Sequence, residues 1–516
     1  MRDALNISIP NILQETDLSN NAYDGILVVV PPIKPLKAAS QLESAIRCAL
    51  TYDPSLETEI AVLPLQNLPA GRLVYAPTGP LDPDYDDVRS LKETAVKGLK
   101  RALKVGIRKL LTVLEEYPNF ENSELVTLLG ILEALYKPIQ AREADPSKTT
   151  KLDLLGIYTS DKDKTKQVIG LAIALESGRY IARDIGGADP ERMTPIKIQR
   201  YLEEVFSKSS IKISVIDDPK VFAEEYPLFE AVNRAASVVE RHRGRIVFLE
   251  YNPPEKVEET LLLVGKGVTY DTGGADIKAG GVMISMSRDK CGAAAVVGFL
   301  QIVSELKPKH VKVIGVIGLV RNSVGSNCYV SDEIIMSRCK AMIRIGNTDA
   351  EGRMVMADLL CRMKEIAINS INPHLFTIAT LTGHARLTVG DGYSILMNNG
   401  PAHNAGFGEK LQKRGQEYGE PIEISTLRRE DFAFHRGKTE GEDIFQSSPG
   451  PSTRTRRGHQ GPAAFLILAS GLDKHGSGSE KPIKYSHFDI TGSAGIFPFP
   501  ATGAPIVALA STLLLN

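Results

Sequence analysis

The sequence predicts an α/β protein of two domains, each a mostly parallel or mixed sheet covered by helices, with the chemistry in the C-terminal one. Three observations predict it. Strand-like apolar runs alternate with amphipathic helix patterns over 1–160, and again over 191–516. The chain has 516 residues. At roughly 150 residues per domain that suggests about three domains, and two large ones fit equally. Apolar residues make up 43% of the chain and charged residues 24%, an ordinary globular balance that argues against a disordered or fibrous chain.

In the first domain, the run at 26–30 reads as a buried strand and 35–50 as a helix. Then come a strand at 72–76, a helix at 88–105, a strand at 109–113, a helix at 125–136 and a strand at 152–158. No chemical motif occurs here, so the expected role is structural or in assembly. A linking segment, 161–190, follows. Helical periodicity over 166–185 lets it bridge two domains, and 186–193 is a loop rich in turn residues. Thr194 and Pro195 suit the cap and first turn of the next helix. The second domain has strand candidates at 211–215, 245–249, 261–264, 311–319, 342–345 and 376–380. Its helix candidates are 292–306, 352–368 and 463–472. In such sheets ligands bind at the carboxyl ends of the strands.

Net charge is −1, which gives no general attraction to nucleic acid or an anionic membrane. The five cysteines (Cys48, Cys291, Cys328, Cys339 and Cys361) are scattered, and none forms a C-x-x-C pair. They fit free thiols in a reducing compartment, hence a cytoplasmic protein. The first ten residues hold no apolar stretch of signal-peptide length. Apolar runs such as 504–515 fall short of the ~18–20 residues a membrane helix needs.

The informative residues sit at strand ends. Residues 261–278 read LLLVGKGVTYDTGGADIK: an apolar strand runs into Gly265, Lys266 and Gly267. A lysine there is costly without a partner or a task. Asp271, Gly273, Gly274 and Lys278 follow. Each lysine taken alone reads as a surface cation. Asp289 precedes the helix at 292–306, and its plain reading is a carboxylate favoured by the helix dipole. Residues 347–360 read NTDAEGRMVMADLL. In an extended segment Asp349 and Glu351 would share a face, where they repel unless a cation lies between them. Acids are common at a helix start, but Arg353 opposes the dipole there.

Lys266, Asp271, Asp289, Asp349 and Glu351 together supply four hard oxygen donors and an amine, a set able to hold two divalent cations. Lys266 is a ligand only when neutral, so its pKa would have to fall. None of the nine histidines lies in this cluster, and H-E-x-x-H and G-x-S-x-G are both absent.

VGKGVTYDTGGADIK and NTDAEGR resemble the signatures of the leucine (cytosol) aminopeptidase family, with similarity over roughly 180–500. The chain looks closest to an animal aminopeptidase-like branch. The resemblance implies a C-terminal catalytic domain and an exopeptidase with two divalent metals, usually zinc, with manganese or magnesium also accepted. It implies a homohexamer and peptide substrates with a free N-terminus. By position, Asp271 and Glu351 would touch both metals, Asp349 would complete one site, and Lys266 and Asp289 the other. Lys278 and Arg353 match the two catalytic positions, the first for the oxyanion and the second for a bicarbonate that accepts a proton. Met286 matches a side-chain pocket, and Leu381 and Gly383 match backbone contacts to substrate.

The chain departs from the family at Lys290, at Ala494, in the loop 186–190 and in the arginine-rich loop 446–465. Lys290 is expected to weaken the second metal site, and the other changes put substrate preference in question. The competing readings are a catalytically weak or inactive relative serving as a scaffold, and a two-metal hydrolase acting on something other than peptides.

Overall fold

A computed structural model describes residues 9–30, 36 and 39–515. They form two compact α/β units. One holds the chain up to Ser177 with Gln416–Gly419; the other holds Gly178–Gly415 and the chain from Glu420.

The first unit is built on β1 (Ile12–Glu15), β2 (Gly25–Val30), β3 (Ala61–Pro64), β4 (Arg72–Pro77), β5 (Lys109–Val113) and β6 (Leu154–Tyr158). The strand order is β1-β6-β5-β2-β4-β3. All neighbours are parallel except the β3–β4 pair. The four strands expected from apolar runs are β2, β4, β5 and β6. The two edge strands escaped the sequence reading, because β1 and β3 are short and mostly half-exposed, which leaves a weak apolar signal. Helix Arg89–Lys104 buries Leu91, Ala95, Leu99 and Ala102, one stripe at helical spacing, and packs on β2 and β4. The helix expected at 35–50 is Ser40–Tyr52, and residues 35, 37 and 38 lie outside the described residues. The division between the units falls within helix Lys162–Gly187.

The second unit adds β7 (Lys212–Ile216), β8 (Arg245–Tyr251), β9 (Glu259–Asp271), β10 (Val311–Asn322), β11 (Ile334–Met336), β12 (Met342–Arg344), β13 (Pro373–Ala379), β14 (Ser394–Asn398), β15 (Ile422–Ile424), β16 (Ile444–Phe445) and β17 (Lys484–Asp489). Eight form a mixed sheet in the order β15-β14-β17-β13-β9-β10-β8-β7, while β11, β12 and β16 form a small separate sheet. The strand expected at 342–345 is β12, in that small sheet. The middle four, β17-β13-β9-β10, are mutually parallel. Helices Cys291–Leu306 and Glu351–Ala367 both pack on β9, β10 and β13. They cover opposite faces: Gly265 abuts Ala293 in the first, while the next residue, Lys266, abuts Gly352 in the second. The apolar run at 504–515 contains helix Ile506–Leu513, which is buried in this unit. No helix among the described residues is long and apolar enough to cross a membrane.

Candidate metal centre and its cavity

Strand β9 carries the first two site residues, and its course corrects the sequence reading. The strand was expected to stop at residue 264, but it runs on to Asp271, so Lys266 sits within it. The two glycines flanking Lys266 make room. A Cβ on Gly265 would lie 2.7 Å from Ala293 Cα, and one on Gly267 would lie 2.6 Å from Gly318 O. A helix and a neighbouring strand approach too closely for any side chain. Gly352 plays the same part for Lys266: a Cβ there would stand 2.5 Å from Lys266 Cε.

The strand ends at Asp271, and Gly273 (φ +89°) and Gly274 (φ +66°) turn the chain sharply after it. Asp271 Oδ1 accepts from Gly273 N at 2.9 Å and from Asn322 Nδ2 at 2.8 Å. Asp289 follows the single turn Met286–Arg288 and accepts from Thr380 Oγ1 at 3.0 Å. Glu351 opens helix Glu351–Ala367, and Asp349 lies in the turn just before it. Asp349 and Glu351 therefore do not share a face of an extended segment, as the spacing suggested. The turn and the first helical residue bring them to one cluster instead.

Two lysines stitch the carboxylates. Lys266 Nζ lies 2.7 Å from Asp289 Oδ1 and 2.8 Å from Glu351 Oε1, and donates to Thr380 O at 2.9 Å. Lys278 Nζ lies 2.9 Å from Asp271 Oδ2 and also contacts Asp349 Oδ1. Burial works against the charge of Lys266, but Asp289, Glu351 and Asp271 outweigh it and hold its pKa above the ordinary value. The same balance, with Asp271 and Asp349 prevailing, raises Lys278. The acids around Lys266 therefore outweigh its burial. Burial, reinforced by neighbouring carboxylates, raises Asp289 and Asp349. Like charges are crowded here, as the sequence suggested.

This donor set fits divalent cations. Carboxylate oxygens of Asp271, Asp289 and Glu351, all buried, lie within 4.8 Å of one another. Asp289 Oδ2 is buried without a hydrogen-bond partner. A hard cation satisfies such oxygens and relieves their repulsion.

Arg353 is buried in the first turn of helix Glu351–Ala367. Its Nη1 donates to Gln446 O at 3.0 Å, and its guanidinium lies 5.9 Å from the centre of the Phe465 ring. Its Nε is buried without a partner. Burial lowers its pKa to about 10, so it keeps its charge at neutral pH. All ten candidate residues, Lys266, Asp271, Lys278, Met286, Asp289, Asp349, Glu351, Arg353, Leu381 and Gly383, line one cavity of about 1180 Å³. The N–H of Leu381 is already given to Thr491 Oγ1 at 2.9 Å, so its carbonyl is the group left to offer. Gly383 opens helix Gly383–Val389.

The departures resolve individually. Lys290 does not face the carboxylates. It is fully buried and donates to Ala188 O at 2.9 Å and to Ser287 O. Burial pulls its pKa down to about 8. It therefore ties the divergent loop 186–190 to the turn that carries Asp289. In the loop 446–465, Arg457 pairs with Asp431 at 2.6 Å, while Arg456 lines the cavity wall. Ala494 lines it too. Sequence reasoning missed Asn322, Thr380 and His435. Asn322 carried the signal that exposed Lys266, a polar residue closing an apolar strand. Thr380 closes the strand expected at 376–380, just before Leu381. Nothing in the sequence pointed to His435.

Comparisons with known proteins give the family and the fold. Residues 180–510 match the model of the cytosol aminopeptidase family, catalytic domain. A Caenorhabditis elegans protein named as an aminopeptidase is 41% identical over 512 residues, 98% of each chain. A Chlamydia trachomatis serovar D protein named as a cytosol aminopeptidase is 27% identical over 382 residues, 73% of this chain and 70% of its own. Among solved structures, the bottromycin maturation enzyme BotP has the same fold, with a TM-score of 0.75 at 20% identity, covering 95% of this chain and 98% of its own. Another structure of that enzyme, with a TM-score of 0.74, holds Mn.

Proposed function

The chain belongs to the cytosol aminopeptidase family, and from that premise we propose that it releases N-terminal amino acids from peptides with the help of two divalent metals. One observation carries the metal part: buried carboxylate oxygens of Asp271, Asp289 and Glu351 gathered within 4.8 Å, one of them unpartnered. Asp271 and Glu351 are assigned to both metals, Asp349 to one, and Lys266 and Asp289 to the other. The metals, zinc by family habit and manganese as in the BotP complex, supply a water acidified to near-neutral pKa and a fixed positive charge.

The protein's own groups do the rest. With cations on its neighbours, Lys266 loses the field that keeps it protonated and becomes a competent amine ligand. Lys278 points a cation into the cavity, suited to the oxyanion of a tetrahedral intermediate. Arg353 cannot act as a base, and its unpartnered Nε suits an anion, for which bicarbonate is the proposed occupant. Met286 contacts the N-terminal side chain, and the backbone of Leu381 and Gly383 orients the peptide.

Residues 1–160 are assigned to assembly, 161–190 to linkage and 191–516 to catalysis. The assembly is a cytoplasmic homohexamer, and a monomer mass in light scattering over a wide concentration range would refute it. The test of function is metal analysis of the purified protein with a panel of N-terminal amino-acid amides. Two ions per chain with amide hydrolysis is the expected result. Two ions without hydrolysis of any amide would make the protein a binding relative instead.

A further inference from the structure

The arginine-rich loop 446–465 supplies a cavity wall that the proposed chemistry leaves unused. Residues between 447 and 458 line it, Arg456 and Arg457 among them. This wall is built onto the segment assigned to orient the peptide. A Cβ on Gly383 would stand 2.7 Å from Thr453 Cγ2, and one on Gly458 would stand 2.9 Å from His384 Cβ. His384 Nδ1 and His459 Nδ1, 2.8 Å apart, join the same two segments. The side around Met286 is a different wall. There Arg288 donates to Ala494 O and Phe499 O and ties the turn Met286–Arg288 to the segment 494–499. With the N-terminal side chain assigned to Met286, the loop wall is left to the part of the peptide beyond the scissile bond.

The charges of the loop wall divide into partnered and unpartnered. Arg457 holds Asp431 at 2.6 and 2.8 Å and Thr426 O at 2.8 Å. Arg386 holds Asp391 at 2.5 and 3.1 Å. Glu430 pairs with Arg429 at 3.2 Å. Deeper in the cavity, Lys266 and Lys278 are held by carboxylates, and Arg288 and Arg353 by carbonyls. Arg456 is exposed, lines the cavity, and has no hydrogen-bond or ion-pair partner among the described residues. Its guanidinium is the charge left over, and a planar fork of donors matches a carboxylate.

We propose that Arg456 is a specificity-determining residue that pairs with a carboxylate on the leaving part of the peptide, supplied by the C-terminus of a short peptide or by an acidic side chain. The inference rests on the aminopeptidase reading and adds a preference to it. The pair forms at a solvent-exposed wall, so its worth is that of an exposed ion pair. It is made equally in the ground state and the transition state, so it lowers KM and leaves kcat alone.

Two matched pairs of probes read it on the full-length, metal-loaded protein. Leucyl-glycyl-glycine against its C-terminal amide tests the terminus. Leucyl-glutamic acid α-amide against leucyl-glutamine α-amide tests the side chain. Wild type is expected to favour the carboxylate member of at least one pair by about two- to fivefold, through KM, and the pair that shows it identifies the source. High salt should shrink the preference. Arg456→Gln should bring the ratio to about one, and Arg456→Glu should invert it. Arg454→Gln, an exposed arginine of the same loop that does not line the cavity, should keep it. Ratios near one for both pairs in wild type, or a ratio that survives in Arg456→Gln, would overturn the proposal. If no probe is hydrolysed, the aminopeptidase reading fails, and calorimetric binding of the same four probes still decides whether Arg456 reads the carboxylate.

Discussion

Strands β2 and β9 are interior strands of their sheets and are almost equally buried, yet they differ in what they bury. β2 reads GILVVV and every residue is buried. β9 reads ETLLLVGKGVTYD, with eleven of its thirteen residues buried, Lys266 and Asp271 among them. No carboxylate or amine is buried among the described strands of the first sheet. A buried apolar strand stabilises through the area it removes from water. A buried charge adds no such gain and needs partners. The first strand is therefore explained by stability, whereas the second needs a task to account for its cost.

That contrast can be tested from its strong end downward. Asp271→Ala should cut activity on the order of 10³-fold or more and lower bound metal, while the thermal transition persists; full activity with one tightly held metal per chain would remove the two-metal reading. Lys278→Ala should lower kcat by on the order of 10²–10³ with little change in KM, as expected for a group that acts on developing charge. Arg353→Ala should also lower kcat, but with metal content intact and with less response to added bicarbonate. If excess metal restores that variant, Arg353 serves only to steady the carboxylates.

The apolar strand should answer differently. Leu27→Ala in β2 should cost about 2–5 kcal/mol of stability, read by denaturant unfolding, and leave metal affinity alone. A smaller and pH-dependent effect belongs to His435. Its folded pKa, about 4, lies below the ordinary 6.5. Between those values the unfolded chain holds a proton that the folded chain lacks, so stability falls as pH drops from 6.5 towards 4. The full loss is on the order of 3 kcal/mol. His435→Leu should lack that part of the acid sensitivity, and identical pH profiles would show that the imidazole is less isolated than its burial implies.

Much of this was legible in the residues. Apolar runs marked β2, β4, β5, β6, β7, β8, β9, β10, β12 and β13, although the buried interior strands β14 and β17 went unread. The edge strands β1 and β3 were not legible, because half-exposed residues leave no clear pattern. The α/β class, the family and the ten candidate residues could be read from types and spacings alone, since ligand chemistry restricts which side chains can serve.

Other features were decided by tertiary structure. Gly265 and Gly267 lie past the apolar run that marks the strand in sequence, yet belong to it, because a helix packs 2.7 Å from where a Cβ on Gly265 would stand. Lys290 looks like a charge beside the metal ligands and proves to be bonded to Ala188 O, over a hundred residues away in the chain. His435 bears no local mark at all. Its place near Arg353 depends on Phe465 and on two adjacent carbonyls of the segment 445–446. Local sequence sets what each segment can become, because periodicity and side-chain chemistry are local. It does not set which buried donors and acceptors are left without partners, because that is known only when distant segments have closed around them.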